Sequence, residues 1–179
     1  MSGKNAAQHT LESTIKSNLM KLVSKYYPMC HAVIIPATYW RLLPYDLYIF
    51  ADSIFRAIEL KVDDNPVMAH QYHALFQVAQ NRGYAFVVRW VNANKQLIVE
   101  NFTNGDSRIF KSLPSERQMI GNSARDVDDR PQSNESALHQ AIDYIMAFNV
   151  SPLEHEIQDI IKRNYEQILK KTIEGGRKS

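Results

Sequence analysis

Pro44-Tyr45-Asp46-Leu47-Tyr48-Ile49-Phe50, followed by Ile58-Glu59-Leu60-Lys61, is the stretch whose reading decides the fold. Both pieces are apolar runs of strand type, and both carry charge. Twelve residues separate Asp46 from Glu59. A charge inside a strand destined for burial is costly unless it is paired or holds a metal. Side chains two apart on a strand share a face, so Glu59 and Lys61 point the same way. Two acids and a lysine on neighbouring strands are therefore a candidate cation site with an ammonium beside it.

Outward from that stretch, the pattern is mixed. Leu47–Phe50 and Ile54–Val62 are two strands joined through Ala51-Asp52-Ser53, short enough for a hairpin turn. Ala32-Val33-Ile34-Ile35, stopped by Pro36, is a strand before them. Upstream, Leu11, Ile15, Leu19 and Leu22 repeat at helical spacing, with Thr10 as N-cap and Pro28 as terminator. Downstream, Asp63-Asp64-Asn65-Pro66 breaks the chain, with Pro66 placed as a first helical residue. Met68 to Arg82 reads as a helix closed by Gly83 as a C-cap glycine. Tyr84–Val91 and Gln96–Phe102 form a second hairpin through Asn92-Ala93-Asn94. Helix, three strands, helix, two strands predicts an α/β layer, a sheet flanked by two helices.

Residues 104–134 are rich in Ser, Asn, Asp, Arg and Pro and read as a linker or long loop. Residues 135–174 read as a helical extension: a helix over Ser136–Asn149, then one from Ser151-Pro152 with Leu153, Ile157, Ile160, Ile161, Tyr165, Ile168 and Leu169 as its apolar stripe. That stripe packs back on the domain or pairs with the same helix of a second copy in a two-fold homodimer.

With 179 residues and 45% hydrophobic content the chain can bury a core. The net charge of +2 does not mark a nucleic-acid binder, so any such role needs local basic clustering. One cysteine, Cys30, excludes a disulfide framework within the chain and reads as a buried thiol. No apolar run approaches the roughly 20 residues of a membrane span. The expectation is a soluble, cytoplasmic protein that does not enter membranes.

Pro44-x-Asp46 with Glu59-Leu60-Lys61, in that order of elements, resembles the PD-(D/E)XK nuclease superfamily. Tyr45 stands between the proline and the aspartate, which are adjacent in the usual pattern. Glu12 lies in the first helix, where many members carry a glutamate. Gln71, followed by Gly83-Tyr84-Ala85-Phe86-Val87-Val88, is similar to the glutamine helix and following strand of virus-type replication-repair nucleases and some Holliday-junction resolvases. The resemblance spans roughly residues 10–103. It implies a restriction-endonuclease-like core and a Mg²⁺-dependent deoxyribonuclease, with Mn²⁺ as a substitute, acting on DNA, branched DNA and repair substrates included. Asp46, Glu59 and the Leu60 carbonyl would be metal ligands, Lys61 the catalytic lysine, Glu12 an accessory acid and Gln71 an orienting residue. Restriction-type or exonucleolytic cleavage is an alternative within the same chemistry. A non-catalytic nucleic-acid-binding or assembly protein, or a scaffold built on the C-terminal helices, is the alternative outside it.

The bland readings stand beside these. An acid in a helix's first turn favours the dipole whatever else it does, and a strand-end lysine can snorkel. His70 and His73 share a helix face but lack further zinc ligands. Tyr39-Trp40-Arg41 is either a nucleic-acid contact or aromatic core. Lys16, Lys21, Lys25, Arg82 and Arg89 could line a phosphate track, though each alone is more often a solvated charge.

Overall fold

The computed structural model describes residues 3–36, 44–111 and 135–152, together with residues 159, 162, 163 and 166. The elements run α1 (Gly3–Tyr26), β1 (His31–Ile34), β2 (Leu47–Ala51), β3 (Ile54–Val62), α2 (Ala69–Gln80), β4 (Tyr84–Val91), β5 (Gln96–Asn101), β6 (Ser107–Lys111) and α3 (Glu135–Met146). The six strands form one sheet in sequence order. All neighbours are antiparallel except β3 and β4, which run parallel with α2 as the crossover. A parallel pair needs such a connection, because no tight turn can reverse the chain twice. This is the mixed α/β sheet with flanking helices that the residue pattern implies.

Two cores lie on the two faces. Ile58, Leu60 and Val62 of β3 join Phe86, Val88 and Trp90 of β4 in a core covered by Ile15, Leu19, Leu22 and Val23 of α1 and by Leu138, Ile142 and Ile145 of α3. On the other face Ala57, Ala85 and Val87 meet Leu75 of α2 and Val67. Covered on both sides, β3 is buried at every residue from Arg56 to Val62.

The β2–β3 hairpin turns at Asp52 and Ser53, with φ of 52° and 62°. Two consecutive left-handed residues match the right-handed twist of the strands they join. Arg56, fully buried, secures that end: Nη1 donates to the Ala51 and Ile54 carbonyls at 3.0 and 3.2 Å, and Nη2 to the Phe148 carbonyl at 2.8 Å.

Several expectations are corrected. The first helix starts at Gly3, so Thr10 is an interior residue and not its N-cap. Its flank is rich in good helix formers, which extend the helix past a cap-competent side chain. Pro66 precedes the second helix, which begins at Ala69. Gly83 is not the left-handed cap residue: Arg82 takes that conformation, φ 60°, while Arg82 N–H bonds Ala79 O and Gly83 N–H bonds Val78 O. These two bonds are a Schellman closure with arginine in the usual glycine place. Gly83 is needed for proximity instead, since a Cβ there would lie 2.8 Å from both the Phe55 carbonyl and Val78 Cγ1.

The stretch expected as loop from 104 onward opens with β6, paired along β5 from Glu100↔Ser107 to Gln96↔Lys111. The first helix of the expected extension, α3, is part of the main core. Tyr39-Trp40-Arg41, residues 112–134 and nearly all of the last helix lie outside the described residues, as does the dimer expectation that rests on that helix.

Candidate functional site

The site forms where β2 stops and β3 continues. Leu47↔Ile58 is the last β2–β3 pair, so among the described residues Glu59 to Val62 run on paired with β4 alone. The Ile58 carbonyl also accepts Asp46 N–H at 3.1 Å. Two residues of the β2 end therefore face one of β3, the two-against-one arrangement of a bulge, which re-aims a side chain. Its effect on Asp46 is decisive. Asp46 Oδ2 accepts the Leu60 N–H at 2.8 Å, taking the ladder position that β2 no longer fills. Tyr45, the residue interposed after Pro44, packs with Phe55 against the α2-face core, at a ring separation of 6.1 Å. Asp46 thus lies against the Glu59-Leu60-Lys61 segment despite the insertion.

Glu59 is 1% and Lys61 8% exposed, and Asp46 6%. Lys61 Nζ lies 2.6 Å from Glu59 Oε1. The contact is a close ion pair that serves Oε1, while Glu59 Oε2 is buried without a hydrogen-bonding partner. Distance governs the Coulomb attraction, so Lys61 neutralises Oε1 and leaves Oε2 to be served. Burial pushes the Glu59 carboxyl up to about 7, with the negative charge of Asp46 adding to the rise and Lys61 opposing it. Glu12, on α1, is raised in the same direction, first by burial and then by Asp46, while Lys61 and Lys16 act against this.

The structure therefore brings Glu12, Asp46, Glu59 and Lys61 into one electrostatic cluster and adds Lys16, which sequence reading had left among the solvated charges. Lys16 Nζ bonds Asp46 Oδ1 at 2.5 Å. A signal for it existed: Glu12 and Lys16 are four apart on one helix and so share its face. Leu60 contributes backbone. A strand residue's N–H and C=O point to the same side. Since the Leu60 N–H meets Asp46, its carbonyl is directed to that open side too.

Gln71 is placed differently. Its Oε1 accepts the Met68 N–H at 2.9 Å, capping α2. Arg89, beside Lys61 across the β3–β4 pair, spends Nη1 on the Asp63 and Asn65 carbonyls at 2.7 Å each. Lys21, Lys25 and Arg82 are exposed. Cys30, partly buried against the main core, is held toward the neutral thiol by desolvation, as a packing residue would be.

Among the described residues no three His, Cys, Asp or Glu side chains are grouped to hold a metal by themselves. A magnesium-type ion does not require that many, because it keeps several waters and uses one or two carboxylates. Asp46, Glu59 and the Leu60 carbonyl are hard oxygen donors of the right kind. The second oxygen of Glu59, Oε2, buried and without a partner, is the observation that fits such an ion. No described helix is long and apolar enough to cross a membrane.

No family model matches this chain, and no curated protein does. Among solved structures, Hjc, a Holliday junction resolvase of the archaeal hyperthermophile Archaeoglobus fulgidus, is similar at 15% identity and a TM-score of 0.35, over 46% of this chain and 72% of that one. A likeness at that level decides neither family nor activity.

Proposed function

We propose that this protein is a divalent-cation-dependent DNA endonuclease, using Mg²⁺ or Mn²⁺, with branched DNA such as a four-way junction, or a repair intermediate, as substrate. The observation that carries this reading is the bond from Leu60 N–H to Asp46. It fixes one carboxylate beside a second, buried and under-satisfied one, with a lysine two residues on. Asp46, Glu59 and the Leu60 carbonyl would hold the ion. When bound, the ion supplies an acidified water and offsets charge at the scissile phosphate. Lys61 stands next to those ligands with an ammonium that can orient the attacking water or stabilise negative charge on the phosphate. Glu12 keeps the cluster's acidic balance and can accept from a water. Gln71 would join only by giving up its cap on α2.

The test is cleavage of supercoiled plasmid and of a four-way junction, with Mg²⁺, with Mn²⁺ and with chelator. Wild type is expected to cleave only with metal, and Glu59→Ala and Lys61→Ala each to lose roughly 100-fold or more. No cleavage of any DNA at high protein and metal would end the nuclease reading. Cleavage indifferent to Glu59→Ala would end the site assignment.

A second reading has its own observation. Lys16 and Lys61 already neutralise an oxygen on each of the two strand carboxylates. A closed set of ion pairs suits a non-catalytic DNA-binding or assembly protein on the same fold. Metal-independent binding to a junction without cleavage is its signature.

A further inference from the structure

Asp46 presents two oxygens to two very different partners. Oδ2 is held by a backbone N–H inside the sheet and cannot be released without moving β3. Oδ1 is held by Lys16, a long side chain from another element that is 18% exposed. The backbone bond orients the carboxylate; the lysine occupies the oxygen that orientation makes available. Lys61 differs from Lys16 in that it shares Glu59's strand and face, so its proximity to Glu59 is built into the strand. Lys16 is four rotatable bonds from α1, and its exposed fraction gives it a way out. Glu12, one turn earlier on that helix face, is a carboxylate for the displaced ammonium to meet.

We propose that Lys16 is a resident counter-cation, which competes with the divalent ion for Asp46 and thereby sets the metal concentration at which the site loads. This rests on the metal-site reading above. Lys16 is a positioning residue in this scheme, since it acts through Asp46. In the metal-free protein it neutralises a buried carboxylate that would otherwise repel Glu59. Loading exchanges one cation for another, so the cluster does not pass through a state with Asp46 unpaired.

The experiment is calorimetric titration of the full chain with Mn²⁺ alone, without DNA, for wild type, Lys16→Met, Lys16→Gln and Lys16→Arg. Unfolding temperature in chelator is recorded alongside. Lys16→Met is expected to lower the half-saturating Mn²⁺ about tenfold, the scale of one charge-assisted contact. Lys16→Arg, which keeps the charge, should stay within about twofold of wild type. If Lys16→Met does not fold, Lys16→Gln, which leaves Asp46 a hydrogen-bond donor, must show the same direction. Unchanged or weaker Mn²⁺ binding with a lowered unfolding temperature would show Lys16 to be merely structural and overturn the proposal, leaving the metal site intact. No Mn²⁺ binding by wild type or by any variant overturns both readings together.

Discussion

Arg56 and Glu59 are buried charges three residues apart on one strand, and the protein treats them in opposite ways. Among the described residues Arg56 makes no ion pair, yet three backbone carbonyls surround its guanidinium, leaving only Nε without a hydrogen bond. Glu59 has a lysine 2.6 Å from Oε1, yet its Oε2 is buried with no partner. The first charge closes a hairpin and ties a distant segment to it. The second stands at the strand's open end with capacity to spare. Buried polar groups that are satisfied rigidify a fold, whereas unsatisfied ones need another explanation. The contrast sets a satisfied buried charge at one end of β3 against an incompletely satisfied one toward the other.

The comparison breaks first at Arg56. Arg56→Met keeps most of the volume but strands the Ala51, Ile54 and Phe148 carbonyls. It should cost about 3 kcal/mol in urea unfolding. A loss below about 1 kcal/mol would mean that those carbonyls are well served by water.

Next in size is Glu59→Gln, with the opposite sign. Glu59 titrates near 7 in the folded protein, against a usual 4.5. Between those values the folded state keeps a proton that the unfolded state has released. Its favourable contribution is therefore complete below about pH 4.5 and is lost as pH rises through about 7. In chelator at pH 8, Glu59→Gln should be more stable than wild type by about 2 kcal/mol, and at pH 4 nearly equal to it. The two unfolding curves, measured at both pH values, check this; a pH-independent difference would remove Glu59 from the account.

Lys61→Met should cost less, about 1 kcal/mol at pH 8, because Glu59 can take up a proton when its cation is removed, as Arg56's carbonyls cannot. The pH at which stability falls should then move above wild type's, readable from unfolding temperature against pH. The smallest effect belongs to Gln71→Ala, about 0.5 kcal/mol, for loss of the bond to Met68 N–H. If metal-dependent cleavage drops more than stability does, Gln71 serves the site as well as the helix end.

Much of this was legible from residues alone. Alternation and apolar runs located β1 to β5, and the spacing of Asp46, Glu59 and Lys61 with Glu12 on the first helix marked the cluster. The remainder depended on contacts between distant segments. β6 has little pattern of its own, with Ser107 and Arg108 exposed, and becomes a strand because β5 offers an unpaired edge. The two-against-one pairing at Asp46 is invisible in sequence, because it depends on where β2 ends against β3. Lys16 has no apolar or motif context; only its four-residue interval from Glu12 hinted at it. Arg82 in place of glycine at the helix end shows a tertiary setting overriding a local preference, since Ser151 Oγ also donates to its carbonyl at 3.3 Å.

The bond from Arg56 to Phe148 joins residues 92 apart in the chain. During synthesis the hairpin around Arg56 leaves the ribosome long before Phe148 does. The face of the sheet that α3 covers, together with a guanidinium that α3's end helps to satisfy, waits uncovered for that interval. A nascent chain arrested before residue 135 should therefore be the species that recruits chaperones and draws proteases, and one released past residue 148 should escape both.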